Sequence, residues 1–191
     1  MTDAVLFHHA QGLTPGIQAF AYQLGASGNN VRVPDLYDGM TFQTLEEGVA
    51  HAEQIGFEEL ISAGEQAVEE LAAEVVYAGF SVGAMIAHKL AQNRPGALGA
   101  VLYHHGDVPI TTFGETWPEG VDVQIHVNED DEFCDMDVVE EFVEKAGEKA
   151  NAELYTYPGA AHLFADFSLS DYDPESAELV LQRTLDFLAS H

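Results

Sequence analysis

Residues 74–85 read EVVYAGFSVGAM. The stretch opens as a short, apolar, β-branched run over Glu74–Ala78. A helical pattern then runs from Val82 to Gln92 and is stopped by Asn93-Arg94-Pro95. Between the two lie Gly79, Ser81 and Gly83, a G-x-S-x-G pattern in a strand–turn–helix setting. A turn that sharp needs small residues beside the serine, and the serine then stands at the top of a sheet beside helix N–H groups. A serine just before a helix is also a common N-cap. The stretch alone therefore leaves nucleophile and cap both open.

The same alternation extends in both directions. Strands are expected over Ala4–His8, Asn30–Val33, Glu74–Ala78, Leu98–His104, Val123–Val127 and Glu153–Tyr157. Helices are expected up to Leu24 after a loop holding Pro15 and Gly16, and over Leu45–Ile55, Phe57–Leu71 and Val82–Gln92. Two more are expected over Asp137–Ala150 and over Pro174–Ala189, the last with proline at its start. Six strands alternating with helices predict one α/β domain over residues 1–191. Its sheet is mostly parallel and covered on both faces. In such sheets ligands bind beyond the carboxyl ends of the strands. The residues expected there are His8-His9, Asp35, Ser81, His104-His105, Asn128 to Asp131 and, after a turn, His162.

A serine nucleophile needs a base, and the base needs an orienting acid. Downstream of Ser81 lie His88, His104, His105, His126, His162 and the terminal His191. His88 falls inside the helix after the turn and His126 inside a strand. His162 follows the last strand in a loop, where a base belongs. The acid should follow the preceding strand, where Glu129, Asp130, Asp131 and Glu132 compete. Position after a short turn favours Asp130 or Asp131 and does not choose between them.

Four stretches together resemble the dienelactone hydrolase family of the α/β-hydrolase fold. They are VPDLYDG at 33–39, GFSVG at 79–83, QIHVNEDDEF at 124–133 and YPGAAHLFAD at 157–166. The last resembles the stretch around the family's catalytic histidine. The third resembles its H-x-G-x-x-D segment, with Asn128 where glycine is usual, and that register selects Asp131 as the acid. The loop His8-His9-Ala10-Gln11-Gly12 resembles the family's oxyanion loop, which makes the Ala10 N–H a donor beside that of Val82. The resemblance thus implies a minimal α/β-hydrolase without a separate lid domain. Its triad would be Ser81, Asp131 and His162, cleaving a small ester or lactone with no cofactor.

Two departures narrow the substrate. The family's name-giving enzymes use a cysteine nucleophile, whereas this chain has serine there and its only cysteine, Cys134, elsewhere. Those enzymes also carry an arginine four residues after the histidine to hold a carboxylate. Here that position is Asp166, which argues against an anionic substrate and for a neutral ester. Thioester hydrolysis or acyl transfer with the same triad, and a non-catalytic binding protein, are the alternatives.

His8, His9, His104 and His105 follow two strands expected to be neighbours, so four imidazoles could bind zinc. Adjacent strand residues point to opposite faces and no H-x-H or H-E-x-x-H spacing occurs, so no metal site is expected. His9, Gln11, His104, His105 and Trp117 are instead expected to line the substrate pocket, with Phe113 and Phe133 as further apolar candidates; for the three aromatic residues Trp117, Phe113 and Phe133, core or surface packing is equally open. Arg32 is expected in an ion pair.

Composition limits the partners. The 33 acidic residues face 6 basic ones, a formal net charge of -27. That charge excludes a nucleic-acid footprint and disfavours an anionic membrane surface. No apolar run is long enough for a membrane span, and MTDAVLFHHAQG does not resemble a signal peptide. A lone cysteine fits a reducing cytoplasm. The protein is expected as a monomer or homodimer acting on a small molecule. Self-repulsion of this size is screened by salt, and near-absence of lysine points to a salty cytoplasm. The melting temperature is accordingly expected to rise steeply from low to molar KCl, and a flat response would remove salt adaptation from the account.

Overall fold

A computed structural model of the chain describes residues 1–105 and 108–191. It contains one six-stranded sheet of β1 (Asp3–Phe7), β2 (Asn30–Arg32), β3 (Val75–Phe80), β4 (Ala97–Tyr103), β5 (Asp122–Asn128) and β6 (Ala152–Tyr157). The helices are α1 (Pro15–Ala26), α2 (Leu45–Ile55), α3 (Phe57–Ala67), α4 (Val82–Asn93), α5 (Met136–Gly147) and α6 (Pro174–Ala189). The strand order is β2-β1-β3-β4-β5-β6 and every pairing is parallel. The chain leaves β1 toward one edge and returns to β3 on its other side. A topological switch point thus lies at the carboxyl ends of β1 and β3, where an open α/β sheet binds its ligand.

Strand alternation divides the core. Val75 and Tyr77 of β3 face a cluster with Ile86 and Leu90 of α4 and Val139 and Phe142 of α5. Val76, Ala78 and Phe80 face the opposite cluster with Ile17 and Phe20 of α1 and Val180 and Phe187 of α6. Burial on both faces is why the strands read as continuous apolar runs. A third, smaller cluster of Tyr37, Ala52 of α2 and Leu60 of α3 carries Phe42 and Val82 against it.

Several boundaries differ from expectation. Pro15 and Gly16 form the first turn of α1 and not a loop, because proline suits a position whose N–H would find no intrahelical acceptor and Thr14 Oγ1 accepts from Ile17 N. Helix α3 ends at Ala67, short of Leu71. The guanidinium of Arg94 donates there to the carbonyls of Val68, Leu71 and Ala72, holding them outside a helix. Helix α5 ends at Gly147, three residues early. Residues Gly106 and Asp107, between β4 and β5, lie outside the described residues. No helix among the described residues is long and apolar enough to cross a membrane. Arg32 forms no ion pair among the described residues, contrary to expectation; with Asn30 and Glu70 it lines a small cavity at the amino ends of β1–β3.

Burial gives the interior an unusual pH dependence. His8 and His105 are each lowered to about 4 and His126 to about 3, in each case chiefly by desolvation. His88 and His104 are lowered well below the ordinary imidazole value, again chiefly by burial. These rings are neutral in the fold and would take up protons once unfolded. Their contribution is complete above the unfolded value of 6.5 and is lost as pH falls toward 4, by up to about 1.4 kcal/mol per pH unit for each ring. Protonation of surface carboxylates would instead relieve self-repulsion. The urea midpoint at constant ionic strength is therefore expected to be lower at pH 5 than at pH 7.5. An equal or higher midpoint at pH 5 would contradict the buried-histidine account.

Candidate active site

Ser81 joins β3 to α4 with φ 54 and ψ -113, a left-handed backbone for a residue that is not glycine. Such strain costs about 1–3 kcal/mol and persists only where the surroundings over-determine it. The surroundings here are close. A Cβ on Gly79 would lie 2.1 Å from Gly83 O, and one on Gly83 would lie 2.4 Å from Phe7 O and 2.6 Å from His8 O. The two glycines let α4 begin directly over the ends of β1 and β3. Ser81 N–H donates to Tyr103 O at 2.8 Å, which fixes the turn against β4 as well.

The serine side chain makes no capping bond to α4. Its Oγ lies 2.9 Å from His162 Nε2, so the cap alternative does not apply. His162 Nδ1 lies 2.7 Å from Asp131 Oδ2. His162 is 7% exposed and Asp131 4%. The other oxygen of Asp131 accepts from Phe133 N, and Asp131 O accepts from Cys134 N, so the acid is held in a turn of its own. Asp130 is solvent-exposed and contributes only its N–H, to Gly159 O. The structure therefore brings together Ser81, His162 and Asp131 from the ends of β3, β6 and β5.

Asn128 takes a place that sequence reasoning noted only as a departure. Its Nδ2 donates to Ala161 O at 2.8 Å, bracing the peptide next to His162. Its position at the end of β5, facing a loop from β6, was the available signal. Phe133 is 45% exposed, with its ring 4.8 Å from that of His162. Cys134 packs against the core on the α4–α5 face, and its Sγ is 3.7 Å from Met136 Sδ.

The loop after β1 lies against this turn. Val82 is the first residue of α4, so its N–H has no intrahelical acceptor. Ala10 is fully buried in the facing loop. The pocket-lining expectations fare unevenly. Gln11 borders a cleft of about 640 Å³ with Thr14, Phe42 and Ser168, but its Nε2 is held by Phe42 O. His9 is fully buried and bonded to Asp166 Oδ2 at 2.9 Å, so it does not face a substrate. His104, also left-handed at φ 55, is buried between Phe164 and His162, with its ring 5.6 Å from that of His162. His105 and Trp117 belong to the core under α4 and α5. His105 Nε2 meets His88 Nδ1 at 3.2 Å, and Trp117 Nε1 donates to Val121 O. His105 is expected at the site because it directly follows the strand expected over Leu98–His104, and Trp117 only as one apolar candidate for which core packing is equally open. Phe113 likewise packs on His88.

Asp166 is also corrected. Its carboxylate does not meet the site; it is 1% exposed and turned onto the start of α1. The position still supplies no positive charge for an anionic substrate. Among the described residues no group of three or more His, Cys, Asp or Glu side chains is arranged to hold a metal ion.

This architecture recurs in known hydrolases. A dienelactone hydrolase-like promiscuous phosphotriesterase from metagenomic libraries superposes with TM-score 0.79 at 16% identity, over 100% of this chain and 86% of that one. A thermophilic esterase from the Planctomycetes species Thermogutta terrifontis, with propionate bound, gives 0.71 at 15% identity, over 99% and 83%. A phospholipase/carboxylesterase from Dyadobacter fermentans gives 0.66 at 17% identity, over 96% and 90%. These are likenesses of fold. No curated protein matches in sequence. The dienelactone hydrolase family model, however, matches residues 3–191 and so takes in all six strands, the Ser81 turn and the loops bearing Asp131 and His162. On that match the chain belongs to the dienelactone hydrolase family.

Proposed function

We propose that the protein is a serine hydrolase of small, neutral carboxylic esters or lactones, with Ser81 as nucleophile. The observation that carries this is the hydrogen-bonded line from Asp131 Oδ2 through His162 to Oγ of a strained serine, at 2.7 and 2.9 Å. Family membership supports ester-type hydrolysis.

In this mechanism His162 Nε2 accepts the Ser81 proton as Oγ bonds to the ester carbonyl carbon. Asp131 holds the Nδ1–H tautomer and stabilises the imidazolium that forms. The backbone N–H groups of Val82 and Ala10 receive the oxyanion; losing one such donor costs about 3–4 kcal/mol in enzymes of this kind. His162 then gives its proton to the departing alkoxide, which leaves as alcohol. Water, deprotonated by His162, attacks the acyl-serine, and the acid departs as Ser81 recovers its proton. A neutral substrate fits the lack of a cation at position 166 and a net charge of -27, which repels anions. Phe133, whose ring lies 4.8 Å from that of His162, offers apolar contact at the rim of the site.

A fluorophosphonate probe is expected to label the native protein at Ser81 and to leave Ser81→Ala unlabelled. Asp131→Asn should lower kcat on p-nitrophenyl butyrate by about 10⁴-fold, with Asp130→Asn close to the parent. Equal labelling of Ser81→Ala would remove the nucleophile, and the reverse order of the two aspartate variants would move the acid to Asp130.

A further inference from the structure

Among the described residues only two of the acidic side chains are buried, Asp131 and Asp166, and each faces a histidine. The proposed mechanism uses the first pair. The second pair, Asp166 with His9, joins the loop after His162 to the loop after β1.

The Asp166 carboxylate is an acceptor for four donors. His9 Nε2 lies 2.9 Å away, Ser168 N at 2.8 Å and Ser168 Oγ at 2.6 Å, with Thr14 Oγ1 as the fourth. Space for it is reserved, because a Cβ on Gly16 would fall 1.7 Å from Asp166 Oδ1. The group is held below its ordinary value by the bonds from His9, Ser168 and Thr14, which outweigh the largest single influence, the opposing desolvation. An ionised carboxylate only accepts, so His9 Nε2 carries the proton. In the neutral ring Nδ1 is then a bare acceptor, and it receives Gln11 N–H at 3.2 Å.

His8 takes the opposite tautomer. Its Nε2 accepts from Leu36 N at 3.1 Å, so Nδ1 carries the proton and donates to His9 O at 2.8 Å. His9 O also accepts from Gly12 N at 3.0 Å. Both peptides flanking Ala10 are therefore clamped. In the 9–10 peptide the carbonyl is held by two donors, and in a trans peptide the Ala10 N–H points the other way. In the 10–11 peptide the N–H is held by His9, while the carbonyl of Ala10 is packed where a Cβ on Gly48 would lie 2.4 Å from it.

We propose that Asp166 and His9 form a second, non-reacting aspartate–histidine pair that positions the oxyanion loop, with Asp166 setting the His9 tautomer that holds the Gln11 N–H and so aims the Ala10 N–H. The pair acts through the backbone and touches no reacting atom. The inference rests on the reading of Ser81 as nucleophile and Ala10 as oxyanion donor. It also gives the residue standing where the family's name-giving enzymes carry arginine a structural task in this chain.

Asp166→Asn presents one acceptor and one donor to the same neighbours and frees His9 to take the other tautomer. On p-nitrophenyl butyrate its kcat is expected to fall about 100-fold with KM changed by less than about threefold, as for a displaced transition-state donor. In the parent protein, imidazole ¹⁵N shifts should report His9 as neutral and protonated at Nε2. In Asp166→Asn the signal should move toward the Nδ1-protonated form. A residue needed only for folding would lower the melting temperature without altering the kcat of the folded fraction or the tautomer. An Nδ1-protonated His9 in the parent overturns the proposal whatever the variant does. So does a kcat for Asp166→Asn within about twofold of the parent while Ser81→Ala is inactive. Turnover retained by Ser81→Ala would instead overturn the underlying reading of the site.

Discussion

The structure turns on one close approach. Helix α4 starts so near the ends of β1 and β3 that neither Gly79 nor Gly83 has room for a Cβ. That contact forces Ser81 into a left-handed conformation and lifts its Oγ out of the capping position. It also presses the loop carrying Ala10 against the first turn of α4. The switch in strand order between β1 and β3 opens the crevice at the same point. Fold and candidate chemistry thus share one local constraint.

Charge is distributed around that point with little waste. Acidic residues crowd the surface, yet among the described residues the two buried ones, Asp131 and Asp166, each hydrogen-bond a histidine. Two of the six basic residues are committed to the interior framework. Arg94 gathers the carbonyls after α3, and Arg183 lies over the Tyr155 ring at 4.1 Å while donating to Tyr157 OH. From Tyr157 the bonding continues inward to His126 Nδ1 and on to Gln124. Neutral histidines therefore supply much of the polar framework inside a chain whose surface is strongly anionic.

Much of this was legible in the sequence. Apolar runs bounded by turn residues located all six strands, and Pro174 located the start of α6. The strand–turn–helix setting of Ser81 and the loop position of His162 are local patterns, and the family register resolved Asp131 from Asp130. What stayed hidden depends on contacts between distant parts of the chain. The end of α3 is set by Arg94, more than twenty residues later. Asp166 reads as a charge facing the pocket until Thr14, Gly16 and His9 are seen to enclose it. The His8-His9 doublet suggested ligands or pocket lining, whereas the two rings bond in opposite senses to hold a backbone loop. His105 illustrates the same limit, since proximity to a strand end in sequence does not set the face a side chain takes.

The central claim is that Ser81 carries the acyl group between two half-reactions. Rapid-quench mass spectrometry of the protein mixed with p-nitrophenyl acetate tests it most directly. The account predicts a burst of p-nitrophenol matched by one acetyl group on the peptide containing Ser81, decaying as acetate forms. Turnover with no acetyl adduct, or an adduct on Cys134 or another residue in place of Ser81, would contradict it.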